Sequence, residues 1–172
     1  MITADELRML IDATQHDSTF GHQEKAIVED IVNLSEVRVR EFMVPRVDLF
    51  SCAVDTPVAE ALSEAAEQEA ELVPVFEGEE DNITGVIEVH RLFAEADQSQ
   101  KLQRFMRPVE YVPETLRADA LLRRFMTEDL RLVCVVDEYG GLEGAVTLED
   151  LFEELVGEFD AMEAPPVEQL GE

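Results

Sequence analysis

The sequence predicts a mixed α/β (α+β) fold: two tandem β-α-β-β-α repeats forming one pseudo-two-fold module behind an N-terminal helical extension. Three observations predict it. Two blocks recur in the same order about sixty residues apart. VREFMVPRVDLFS from Val39 parallels LQRFMRPVEYVP from Leu102, and ELVPVFEGEEDNITGVIEVHRLF from Glu71 parallels RLVCVVDEYGGLEGAVTLEDLF from Arg131. Each second block holds a short valine-rich run suited to a strand buried on both faces. Each is preceded and followed by segments with helical spacing of apolar residues. A unit of roughly fifty residues is too small to bury its sheet alone, so two should pack as one module.

Taken in order, residues 1–38 read as a helical linker, from the periodicity of TADELRMLID and HQEKAIVEDIVNLSEVRVR and the capping-box pair Thr3 and Glu6. The first repeat, 39–98, opens on Phe42 to Pro45, where the proline fixes φ at the lead-in. A short strand follows, then a helix carrying Ala59, Ala61, Leu62, Ala65 and Ala66. LVPVF and ITGVIE come next as strands joined by the turn EGEEDN, and a second helix starts at Val89. The second repeat, 99–158, has the same parts: Phe105 to Pro108, a helix carrying Ala120, Leu121, Leu122, Phe125 and Met126, LVCVV, the turn DEYGG, LEGAVT, and a helix from Leu148. The acidic, proline-containing residues 159–172 are expected to be disordered.

Composition narrows the function classes. A formal net charge of -27 over 172 residues opposes nucleic-acid binding, which depends on Lys and Arg displacing counterions. No Lys or Arg follows Arg131, so an anionic ligand near the C-terminal end needs earlier arginines or a divalent cation. The only cysteines, Cys52 and Cys134, stand in unrelated contexts, and Cys134 in LVCVV reads as a small buried hydrophobe. No apolar run approaches the ~20 residues of a membrane helix, and the N-terminus lacks signal-peptide features, so the polypeptide is expected to be cytoplasmic. Of the carboxylates Glu149, Glu153 and Glu154, those at i and i+4 share a helix face, and such a run reads as a solvated surface before it reads as a metal site. No nucleophile–base pair, Walker-type loop or carboxylate pair stands out, so no enzyme is expected.

The chemistry-bearing stretch is GAVTLED, Gly144 to Asp150. Thr147 and Asp150 are the parts of a capping box, and the same helix start is also a ready anion site. Both readings stay open on spacing alone.

EFMVPRVDL at Glu41 to Leu49 and VVDEYGGLEGAVTLEDLFEELVGE at Val135 to Glu158 resemble the paired CBS domains of the CorC/HlyC family, bacterial relatives of the CNNM magnesium transporters. The resemblance implies a cytosolic regulatory module that binds adenine nucleotide, ATP or AMP, with Mg2+ carried by the phosphates. It further implies a homodimeric disc of four repeats and a membrane transport domain N-terminal to the chain, the module being the cytosolic part of an inner-membrane protein. The family pattern Gly-apolar-x-Ser/Thr-x-x-Asp falls on Gly144, Thr147 and Asp150, with Thr147 donating to a phosphate and Asp150 accepting from ribose hydroxyls. In GVIEVHR the matching positions hold Glu88 and Arg91, so one competent site per chain is expected. Tyr111, Val112, Val133 and Cys134 are candidates to flank the adenine, and Arg131 and Arg46 to offset phosphate charge. The alternative is a dimerisation or protein-interaction scaffold with a vestigial pocket.

Overall fold

The computed structural model describes residues 36–95, 97 and 100–163, with side chains described as far as Gly157. The helices expected before residue 36, with Thr3 and Glu6, lie outside the described residues. Among these residues are seven strands and four α-helices. The strands are β1 (Val44–Pro45), β2 (Cys52–Ala53), β3 (Leu72–Phe76), β4 (Ile83–Glu88), β5 (Glu110–Pro113), β6 (Leu132–Val136) and β7 (Leu142–Thr147). The helices are α1 (Val58–Glu67), α2 (Val89–Glu95), α3 (Ala118–Thr127) and α4 (Leu148–Glu163). The mixed α+β class and the β-α-β-β-α order predicted for each repeat are both present.

The chain forms two compact units, one of residues 38–116 and 130–147 and one containing 117–129 and 148 onward. In the first unit, β2-β3-β4 make one sheet and β1-β7-β6-β5 the other. The two sheets repeat one plan. β2 runs parallel to β3 as β5 does to β6, and each is followed by an antiparallel hairpin. Both hairpins carry a bulge at the same place, after Val75 and after Val135. A bulge reverses which face the next residues present. That is why Ile83 and Val86, three apart, share one apolar cluster with Leu142 and Ala145, also three apart, and with Leu132 and Cys134. This cluster joins the sheets. On the far face of β2-β3-β4, Val58, Ala61 and Ala65 of α1 and Leu92 of α2 cover Val73, Val75 and Ile87. Ala59 and Ala66 of the same helix are exposed, because Val58, Ala61 and Ala65 set the buried stripe.

The lead-ins of the two repeats are exchanged. Val44 and Pro45, which precede the first repeat, pair with Ala145 and Gly144 of the second. Arg107, at the matching position before the second repeat, bridges Val86 of the first, with N–H···O bonds of 3.0 and 2.8 Å. The short 3-10 turns ahead of them follow suit. Leu102 and Phe105 join the first repeat's core, and Val39 N–H donates to the Leu116 carbonyl at 2.8 Å. Arg38 is extended (φ -94, ψ 150), so the helical pattern read through Arg40 ends earlier, where the backbone turns to make these bonds. Each crossing needs a glycine beneath it. A Cβ on Gly144 would lie 2.2 Å from the Val44 carbonyl oxygen, and one on Gly85 would lie 2.9 Å from that of Arg107.

In the other unit α3 and α4 pack on each other. Leu121, Leu122 and Phe125 of α3 are buried, as are Leu151, Phe152, Leu155 and Val156 of α4. α4 continues to Glu163, so the start of the stretch expected to be disordered is helical; the first strong breaker is Pro165.

Gly144→Ala should cost roughly 1–3 kcal/mol or more, because the Val44 carbonyl is backbone and cannot swing aside. Gly157→Ala, in the open on α4, should be neutral or stabilising by up to about 1 kcal/mol. Urea denaturation of both variants checks the contrast.

Candidate functional site

Thr147 is the last residue of β7, and Leu148 begins the 16-residue α4, with Glu149 and Asp150 in its first turn. Thr147 and Asp150 are both half-buried and both engaged within the fold. The first-turn amides of such a helix are the donors that a threonine cap and a bound anion would each use. Carboxylates in the first turn favour the helix dipole. Gly144 has a separate duty, the Val44 crossing, and Gly85 has the same duty in the repeat that lacks the Thr and Asp. The glycine therefore belongs to the architecture, and the residues that set the two repeats apart are those after it.

The strand register shows what replaces them. Leu132 pairs with Thr147 as Leu72 pairs with Glu88, so Glu88 occupies the threonine's position in the first repeat. Glu88 is the only charged residue buried among the described ones, at 8 % exposure. Its carboxylate lies 3.1 Å from Arg107 Nη1, 3.9 Å from Arg131 Nε and 3.9 Å from His90 Nε2. Burying a carboxylate without such partners would cost several kcal/mol. The sequence pointed to Glu88 as the residue standing where the threonine belongs, but it did not reveal this ion-pair cluster. The clue was in the repeat itself: Phe-Met-x-Pro has Val44 in one copy and Arg107 in the other, and the charge arrives together with Glu88.

The remaining candidates divide. Arg131 directly precedes Leu132, the cross-strand partner of Thr147, and also reaches Glu88. Tyr111, 41 % exposed, lies on β5, the outer strand of its sheet, and its hydroxyl donates to the Ile83 carbonyl, joining the sheets. Burial pushes its phenol pKa up. The Val112 side chain is fully buried. Val133 and Cys134 are fully buried as well, and their backbones are paired on both sides, to β5 and to β7. Cys134 packs between the sheets. Arg46 follows directly on β1. β1 is antiparallel to β7 and pairs Pro45 with Gly144, so the chain at Arg46 heads away from Thr147, and its guanidinium binds Asp81 at 2.8 Å.

Among the described residues no group of three or more His, Cys, Asp or Glu side chains has metal-site geometry, and no helix is long and apolar enough to cross a membrane.

Comparison with known proteins gives these positions a context. The CBS domain family matches residues 39–97 and 102–157. The UPF0053 protein Rv2366c of Mycobacterium tuberculosis is 32 % identical over 177 residues, covering 97 % of this chain and 41 % of its own length. The magnesium and cobalt efflux protein CorC of Pasteurella multocida is 30 % identical over 173 residues, covering 96 % of this chain and 58 % of its own. The chain thus spans about two fifths to three fifths of these relatives. Among solved structures, the CBS domain of a bacterial CNNM/CorC family Mg2+ transporter in complex with ATP has a TM-score of 0.68 and 34 % identity, covering 78 % of this chain and 98 % of that one. A CBS-domain pair with bound AMP from Klebsiella pneumoniae has a TM-score of 0.60 and 26 % identity, covering 70 % and 99 %.

Burial raises the Cys134 thiol to about 12 and, with Glu64 adding to it, the Cys52 thiol to about 11. Both thiols should therefore stay protonated and shielded at pH 8. Ellman's reagent should label neither in the native protein and both after denaturation, with or without nucleotide.

Proposed function

The chain belongs to the CBS domain family, as a CBS pair of the CNNM/CorC type, and from that premise we propose that it is an adenine-nucleotide-sensing regulatory module of a magnesium or divalent-cation transport protein. The observation that carries this reading is the difference between two otherwise matching strand ends. The second repeat has Thr147 and Asp150 where the first has Glu88 and Arg91, and a related CBS domain at 34 % identity holds ATP.

In this reading Thr147 Oγ1 donates to a phosphate oxygen, and the Asp150 carboxylate accepts from the ribose hydroxyls. An arginine such as Arg91 has no acceptor for that second role. Backbone groups of Tyr111 and Val112 on the open side of β5 serve the adenine, and Arg131 offsets phosphate charge. Mg2+ arrives with the nucleotide, since that ion keeps its waters and prefers phosphate oxygens to an all-protein cage. The role is regulatory rather than catalytic: binding shifts the population between packings of a homodimeric disc, and the shift passes to a membrane domain N-terminal to the module. The relatives' greater length supports that attachment, and a cytoplasmic module would meet adenine nucleotides.

A scaffold reading draws on the exposed apolar side chains of Phe93 (78 %) and Val47 (85 %). Ligand response separates the two. At 100 times its Kd a ligand adds about 2.7 kcal/mol to stability. Thermal shift and calorimetry with ATP, ADP and AMP, with and without magnesium, should show a response in wild type that Asp150→Ala largely abolishes. Thr147→Ala should weaken binding and also lower ligand-free stability by about 1 kcal/mol through the lost cap. A wild-type protein indifferent to millimolar adenine nucleotide would leave only the scaffold.

A further inference from the structure

The buried carboxylate of Glu88 stands at the first repeat's counterpart of Thr147, and two arginines converge on it. Both arginines come from the second repeat, and their counterparts in the first are not basic: Arg107 corresponds to Val44, and Arg131 to Glu71, the residue before Leu72. The positive charge is thus concentrated at the repeat whose own side chain is negative. A carboxylate held by guanidinium groups presents the same chemistry as a phosphate held by them, namely planar or tetrahedral oxygens accepting charge-assisted N–H bonds.

We propose that Glu88 is a built-in anionic ligand, which plugs a phosphate-binding position formed by Arg107 and Arg131, so that the first repeat is a second nucleotide-phosphate site closed by its own side chain. The inference deepens the nucleotide reading and rests on its equivalence of Glu88 with Thr147. The ligand class is a polyphosphate ester, or a free polyphosphate of the same charge.

Three features support a plug over an ordinary ion pair. Glu88 is buried whereas Arg107 and Arg131 are 36 % and 33 % exposed, so the bases reach solvent and the acid does not. The carboxylate is shared, Oε1 lying within hydrogen-bond distance of Arg107 at 3.1 Å and within ion-pair distance of Arg131 at 3.9 Å. The backbone of Arg131 adjoins Leu132, the cross-strand partner of Thr147, while its guanidinium is turned to Glu88 at 3.9 Å.

The test uses Glu88→Thr, which copies the second repeat, and Glu88→Gln, which keeps the shape and removes the charge. Melting temperature and circular dichroism confirm that each is folded. Calorimetry then measures ATP with magnesium and, separately, tripolyphosphate without it. Wild type should bind one nucleotide per chain, and at least one folded variant should take up a second or bind tripolyphosphate at least about tenfold more tightly, as expected for removal of a like charge at the site. Adding Arg107→Ala should erase the gain. Unchanged stoichiometry together with tripolyphosphate affinity within about twofold of wild type, in both folded variants, would overturn the proposal. Failure of the nucleotide reading is distinguishable, because a wild type that ignores ATP leaves the tripolyphosphate comparison intact.

Discussion

Two backbone carbonyls, those of Val44 and Arg107, cross the opposite repeat's sheet at a glycine, and the rest of the unit is arranged around these crossings. They bring each lead-in across to the other repeat, seat Leu102 and Phe105 in the first core, and tie residues 38–40 to the loop at 114–116. The inter-sheet cluster around Cys134 and Val86 then fills the space the crossings define. Hydrophobic burial supplies most of the stabilisation, but it is non-directional. The register of two short backbone pairings is what makes the two sheets face each other in one way.

On this near-symmetric frame the two strand ends have diverged chemically. One offers a hydroxyl and a carboxylate at the start of a long helix. The other buries a carboxylate under arginines. The divergence is possible because neither strand end carries the fold: the crossings, bulges and hairpins are the same on both sides. In the hairpin of the second repeat, Asp137 Oδ1 accepts from the Tyr139 and Gly141 amides at 2.9 and 2.8 Å, with Gly140 at φ 82; the first repeat reaches a similar turn through Gly78 at φ 79 and the Glu77–Asn82 bond of 3.0 Å. Different local chemistry thus closes the same connection.

What was legible in the sequence was local or repeated. The internal repeat exposed the element order, valine runs marked β3 and β6, and the turn residues marked both hairpins. Long-range placement was not legible. Nothing in VPR shows that a two-residue strand joins the sheet of the other repeat, and without that register Arg46 could be pictured beside Thr147 when it points to Asp81. Cys134 was legible as a buried hydrophobe, and the fold adds that β6 is flanked by β5 and β7. The Glu88 cluster needed both levels: comparison of the repeats points to the odd residues, and only the fold brings Arg107 and Arg131, distant in sequence, to the same carboxylate.

The exchanged lead-ins also bear on what one repeat could be by itself. A single repeat of this design leaves a notch over its glycine and an unpaired strand edge, and it is completed only when a second copy inserts its own Phe-Met-x-Pro segment. As separate molecules such halves would form an obligate dimer whose survival depends on concentration. Joined in one chain by a connection of a few residues, the partner is always present at an effective concentration in the millimolar range or above. Fusion therefore converts a concentration-dependent assembly into a permanent one, and it frees each half to mutate without having to remain complementary to an identical copy of itself.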